Sequence, residues 1–72
     1  MKWQFVTMDT WQAREGAFRY QIRHTRTEQH GPWFLDIYED GKKASEATRI
    51  LHQKSRQACE FLAELYVVGM KR

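Results

Sequence analysis

The sequence predicts an α+β fold: a three- or four-stranded antiparallel sheet with a C-terminal amphipathic helix packed on one face. Apolar and polar residues alternate with a period of two up to about residue 39, and the period lengthens to that of a helix after Ser55. Gly16, Gly31-Pro32 and Asp40-Gly41 fall between the alternating stretches, where the chain must reverse.

The first strand is expected over about 2–13. Trp3, Phe5, Trp11 and Ala13 are in phase there, with a bend or bulge near Met8–Thr10 where Thr7 and Asp9 weaken the register. The second covers about 17–26, with Phe18, Tyr20, Ile22 and His24 on one face and Arg19, Gln21, Arg23 and Thr25 on the other. The third covers about 33–39, with Trp33, Leu35 and Ile37 inward and Phe34, Asp36 and Tyr38 outward. Asp40-Gly41 reads as a two-residue hairpin signal.

Residues 42–54 carry two readings. Ala44, Ala47 and Leu51 extend a helical stripe back to Ser45, giving a helix over about 45–68; alternatively Thr48 to His52 is a fourth strand and the helix covers about 55–68. The absence of Gly and Pro tips the reading toward the longer helix. Ser55 is a suitable N-cap for the shorter one. Ala58, Phe61, Leu62 and Leu65 form the expected core-facing stripe, ending near Gly69, with Lys71 and Arg72 at the negative end of the helix dipole.

The 72 residues make one domain, 1–72, and its three Trp, four Phe and three Tyr supply the bulk for a core. A lone cysteine, Cys59, excludes an intrachain disulfide and points to a reducing compartment. Residues 1–5 lead into no apolar h-region, and no apolar run approaches the ~20 residues that span a bilayer, so a cytoplasmic location without membrane contact is expected.

The net charge of +3 is uneven: residues 1–27 carry +3, 28–41 carry −4 and 42–72 carry +4. Arg19, Gln21 and Arg23 share the outer sheet face with Phe34, Asp36 and Tyr38. Arginine beside aromatic rings suits a protein interface, where rings anchor and charges steer. It suits nucleic acid equally, where guanidinium meets phosphate. It also suits plain cross-strand pairing of Arg19 or Arg23 with Asp36. Lys42, Lys43, Arg49, Lys54 and Arg56 read as a basic helix face interleaved with Glu46, Glu60 and Glu64. Asp36, Glu39 and Asp40 read as a soluble hairpin tip or a dock for a basic partner.

His24, His30, His52 and Cys59 show no metal-ligand spacing, and neither a nucleophile elbow nor a phosphate-cradling glycine loop occurs. No metal, cofactor or catalytic residue is expected. His24 is placed at the end of the inner face and His30 in a loop.

The order of parts resembles small accessory proteins of bacteriophages and mobile elements. It runs from a Trp-rich strand (Trp3, Trp11) to Phe18-Arg19-Tyr20-Gln21-Ile22, then a strand ending Asp40-Gly41-Lys42-Lys43, then a helix opening Ser55-Arg56-Gln57-Ala58. That class includes anti-CRISPR and other anti-defence inhibitors, which occlude a host protein surface. The same ending is similar to the arm-type DNA-binding domains of phage integrases, which lay a three-stranded sheet in a major groove. Gly31-Pro32-Trp33-Phe34 and Lys54–Ala58 also look like the second half of double-stranded RNA-binding domains. Strands replace the N-terminal helix of that family here, so its function is not carried over.

The expectation is therefore a non-enzymatic binding protein that docks on another protein, an inhibitor by steric occlusion, through Arg19, Gln21, Arg23, Phe34, Asp36, Tyr38 and Asp40. The alternative is a nucleic-acid-binding module using Arg19, Arg23, Lys42, Lys43 and Arg49. Self-association through Trp3, Phe5 and Trp11 gives a third reading, a homodimer.

Overall fold

The alternating stretches form strands, and among the described residues the sheet holds five of them rather than the three or four expected. The computed structural model describes residues 1–25 and 31–70; the readings that fall on Arg26, His30, Lys71 and Arg72 lie outside the described residues. β1 (Gln4–Thr7), β2 (Thr10–Glu15), β3 (Phe18–His24), β4 (Trp33–Glu39) and β5 (Thr48–Gln53) pair antiparallel in chain order, and α1 (Arg56–Met70) follows.

One extra strand comes from the first segment. The expected bend is a full reversal at Met8–Asp9, which sets Thr7 opposite Thr10 and Phe5 opposite Trp11, with a register shift between Phe5 and Thr7. The Asp9 amide donates to Thr7 Oγ1 at 3.3 Å, so the residues that weaken the alternation make the turn.

The other extra strand is β5, and it corrects the longer-helix reading. Only Ala44–Glu46 turns helically, as a short 3-10 segment. Thr48 and Ile50 are β-branched and face Ile37 and Leu35 across the β4–β5 ladder, while Arg49 falls opposite Asp36. Asp40-Gly41 opens this connection without completing it: the Lys42 amide donates to the Glu39 carbonyl at 3.2 Å, and the chain reaches β5 only after Ala47.

The core lies between the inner sheet face and α1. Tyr20, Ile22, Leu35 and Ile37 meet Cys59, Ala63 and Val67, with Leu62 and Tyr66 packed at the sides. The expected stripe of Ala58, Phe61, Leu62 and Leu65 is thus displaced around the helix, and Phe61 and Leu65 are exposed. Volume explains the choice. The sheet presents large side chains, and the helix settles on its small ones, which lets the two surfaces approach closely. Ser55 caps α1 as expected, its Oγ accepting from the Ala58 amide at 3.1 Å. His24 sits half-buried with its ring edge-on to Trp33 at 4.8 Å. Trp3 and Trp11 pack against the core, and exposed Phe5 meets Trp11 edge-on at 5.3 Å.

Cys59 is buried in this layer, and burial, helped by nearby Glu60, pushes its thiol up from 9.0 to about 11. A thiol reagent at neutral pH is expected to leave the native protein unmodified and to label it fully in denaturant. Because the native value is raised, the associated stability is complete below pH 9.0 and is lost as pH rises toward about 11. Cys59→Ala should flatten the start of that alkaline decline in denaturant melts. Rapid native-state labelling would contradict this placement.

Candidate functional site

Pleating alone sends Arg19, Gln21 and Arg23 of β3 and Phe34, Asp36 and Tyr38 of β4 to the face opposite α1. Register then sets Arg19 beside Tyr38, Gln21 beside Asp36 and Arg23 beside Phe34. From β2, Arg14 pairs with Arg19, and from β5, Arg49 pairs with Asp36.

Asp36 organises the centre. Its side chain is 1 % exposed, yet it lies on the outer face, covered by its neighbours. Arg49 grips it with both arms of the guanidinium: Nε donates to Oδ1 at 2.7 Å and Nη2 to Oδ2 at 3.0 Å. The Tyr38 hydroxyl also reaches Oδ2, at 3.4 Å. This carboxylate holds the Arg49 guanidinium further into its protonated range. The pairing corrects two expectations: Arg49 is not on a helix, and it, rather than Arg19 or Arg23, takes Asp36.

The rings lie beneath the cations. The Arg19 guanidinium sits 4.7 Å from the Tyr38 ring centre and that of Arg49 5.1 Å from Phe34. Both rings are half-buried. Arg23 donates to Gln21 Oε1 at 2.9 Å. Each of these guanidiniums therefore has a fixed seat, on a carboxylate, a ring face or an amide.

At the rim, Arg14 donates to Asp40 Oδ2 at 2.8 Å, an exposed pair that lowers the Asp40 carboxyl below its usual range. Lys42 pairs with Glu39 at 2.9 Å. Lys43 precedes the 3-10 turn and is exposed. Shallow hollows follow the face from Lys2, Gln4 and Gln12 through Arg14 and Arg19 to Tyr38, Asp36 and Arg49.

The structure therefore brings together Arg19, Gln21, Arg23, Phe34, Asp36 and Tyr38, with Asp40 and Lys42 at the edge. Lys54 and Arg56 stand apart from this face: Arg56 begins α1 and lies over Trp11 at 4.1 Å. Sequence reasoning missed Arg14, although its phase with Thr10 and Gln12 marks it as outward, and it misplaced Arg49. Among the described residues no His, Cys, Asp and Glu group is arranged to hold a metal, and no helix is long and apolar enough to cross a membrane.

Fold and face define a small α+β protein: an antiparallel meander backed by one helix, with arginines arrayed on the open side. Comparison with protein-family models, curated proteins and solved structures finds no match for this chain.

Proposed function

We propose that this is a non-enzymatic binding protein whose outer sheet face takes the phosphate backbone of a nucleic-acid duplex. The single observation that carries the reading is the array of seated guanidiniums, Arg14, Arg19, Arg23 and Arg49, on one open sheet face. A held guanidinium loses less freedom on meeting a phosphate than a mobile one. Duplex is favoured over single strand because Phe34 and Tyr38 are already stacked beneath arginines. They are therefore poor platforms for unpaired bases. Five strands about 4.8 Å apart span about 19 Å, more than the ~12 Å width of a major groove, so the face lies across the phosphate backbone rather than inside the groove.

The competing reading is a protein partner occluded by the same face, as an inhibitor would do, and the rim carboxylates Glu39 and Asp40 favour it. Fluorescence anisotropy of labelled duplex and single-stranded DNA and RNA separates the two. If about three phosphates are engaged, duplex affinity falls about 40-fold between about 50 and about 200 mM salt. Arg19→Glu/Arg23→Glu should abolish binding while leaving the melting curve unchanged. No duplex binding at the lower salt would overturn the nucleic-acid reading and direct the search to a protein.

A further inference from the structure

One cross-strand row runs unbroken from β1 to β5. Gln4 faces Gln12, Gln12 faces Gln21, Gln21 faces Asp36 and Asp36 faces Arg49. The row lies on the open face, and its first part is a band of glutamine amides with strands about 4.8 Å apart. Gln4 is exposed, and Gln12 and Gln21 are half-buried. Two residues along the strands to one side come Arg14 and Arg19, paired with each other. Two residues to the other side comes Arg23, paired with Thr10. The amide band therefore lies between cations that stand four residues, about 14 Å, apart along β3. The hollow over this part of the face mixes the same groups, with Lys2, Gln4, Gln12, Arg14 and Arg19 along its walls.

We propose that the duplex taken by this face is double-stranded RNA, with the amide band on ribose 2′-hydroxyls and the arginines on the phosphates to either side; the inference rests on the duplex-binding reading above. The first argument is chemical. A phosphate oxygen only accepts hydrogen bonds, so cations alone would satisfy it. A glutamine amide both donates and accepts, as a 2′-hydroxyl does. Gln21 Oε1 already accepts from Arg23 Nη2 at 2.9 Å, which leaves its amide NH2 to donate.

The second argument is depth. The grooves of B-DNA are about 12 and about 6 Å wide, and about 8.5 and about 7.5 Å deep. The sheet is about 19 Å across, and its seven-residue strands run about 24 Å, so it spans either rim in any orientation. On DNA the glutamines would stop short of the base edges and find no hydroxyl. The minor groove of A-form RNA is wide and shallow and displays its 2′-hydroxyls. A surface held at the rim reaches them, and the cations astride the amide band meet the two phosphate strands that border the groove.

Fluorescence anisotropy of one sequence, presented as an RNA duplex, a DNA duplex and a fully 2′-O-methylated RNA duplex at about 50 mM salt, tests this. The RNA is expected to bind about 10-fold more tightly than the DNA, the return on about two hydrogen bonds. The methylated duplex keeps the A-form shape but loses the hydroxyl donor, and its affinity should fall toward that of DNA. Gln12→Ala/Gln21→Ala should weaken RNA binding about 10-fold and leave DNA binding and the circular dichroism unchanged. RNA bound no more tightly than DNA by the wild-type chain overturns the proposal and leaves the duplex reading standing. Binding of none of the three duplexes overturns both. An RNA preference that survives methylation and the double substitution overturns the hydroxyl contact.

Discussion

Arg49→Ala is expected to destabilise the protein by about 3 kcal/mol, and Asp36→Ala by only about 1–2 kcal/mol. The two substitutions break the same pair of hydrogen bonds. They differ in what they leave behind. Without Arg49, a carboxylate that is 1 % exposed loses its bidentate partner and retains only the Tyr38 hydroxyl at 3.4 Å. Without Asp36, the orphan is a guanidinium already 55 % exposed, which turns toward water and keeps its contact with the Phe34 ring. For a domain of this size the larger loss lowers the melting temperature by about 12–24 °C. Thermal melts of both variants, with Arg49→Met as a control that keeps the aliphatic stem, measure the asymmetry. Equal losses, or a larger one for Asp36→Ala, would mean that Asp36 is solvated after all.

Gly31→Ala should cost a similar amount for a different reason. Gly31 adopts φ +68°, and an added Cβ would lie 2.7 Å from the His52 carbonyl oxygen, 2.8 Å from its carbon and 3.0 Å from its Cα. All three are backbone atoms of β5, so no side chain can swing aside. His52 is itself at φ +62°, where β5 shifts register against β4. Strain of about 1 kcal/mol for the left-handed backbone adds to about 1–3 kcal/mol for forcing the strand outward. Gly16→Ala provides the reference: φ is +61° and nothing lies within 4 Å of the added atom. It should therefore lose only the backbone part, about 1 kcal/mol. Denaturant melts of the two variants isolate the close approach, and indistinguishable midpoints would refute it.

Much of this was legible in the sequence, because alternation is a local signal. Residues 18–24 and 33–39 declare their inner and outer faces by parity, so Arg19, Gln21, Arg23, Phe34, Asp36 and Tyr38 could be assigned to one surface. Ser55 announced the helix. The turn at Met8–Asp9 and the outward Arg14 were local signals that went unread, whereas the errors in β5 and α1 needed information from a distant part of the chain. In β5, the adjacent Ile50 and Leu51 and the bulge at His52 blur the alternation, and only pairing with β4 makes the segment a strand. In α1, two apolar stripes compete. The larger residues look like the better core, but the bulk of Tyr20, Ile22, Leu35 and Ile37 leaves room only for Cys59, Ala63 and Val67. Arg49 was misplaced because β5 was, and the seat it occupies on Asp36 lies thirteen residues back along the chain.

The strand order has a kinetic consequence. Every strand in the sheet lies beside its neighbour in sequence. Each new pairing therefore closes a short loop, and the entropy spent before contacts repay it stays small. A sheet-dominated protein is ordinarily a slow folder because its strands must find distant partners; this one can zip hairpin by hairpin. The helix joins last in sequence but bridges β3, β4 and β5. Its docking ties these three strands together, while β1, exposed along its length at one edge of the sheet, is expected to open first.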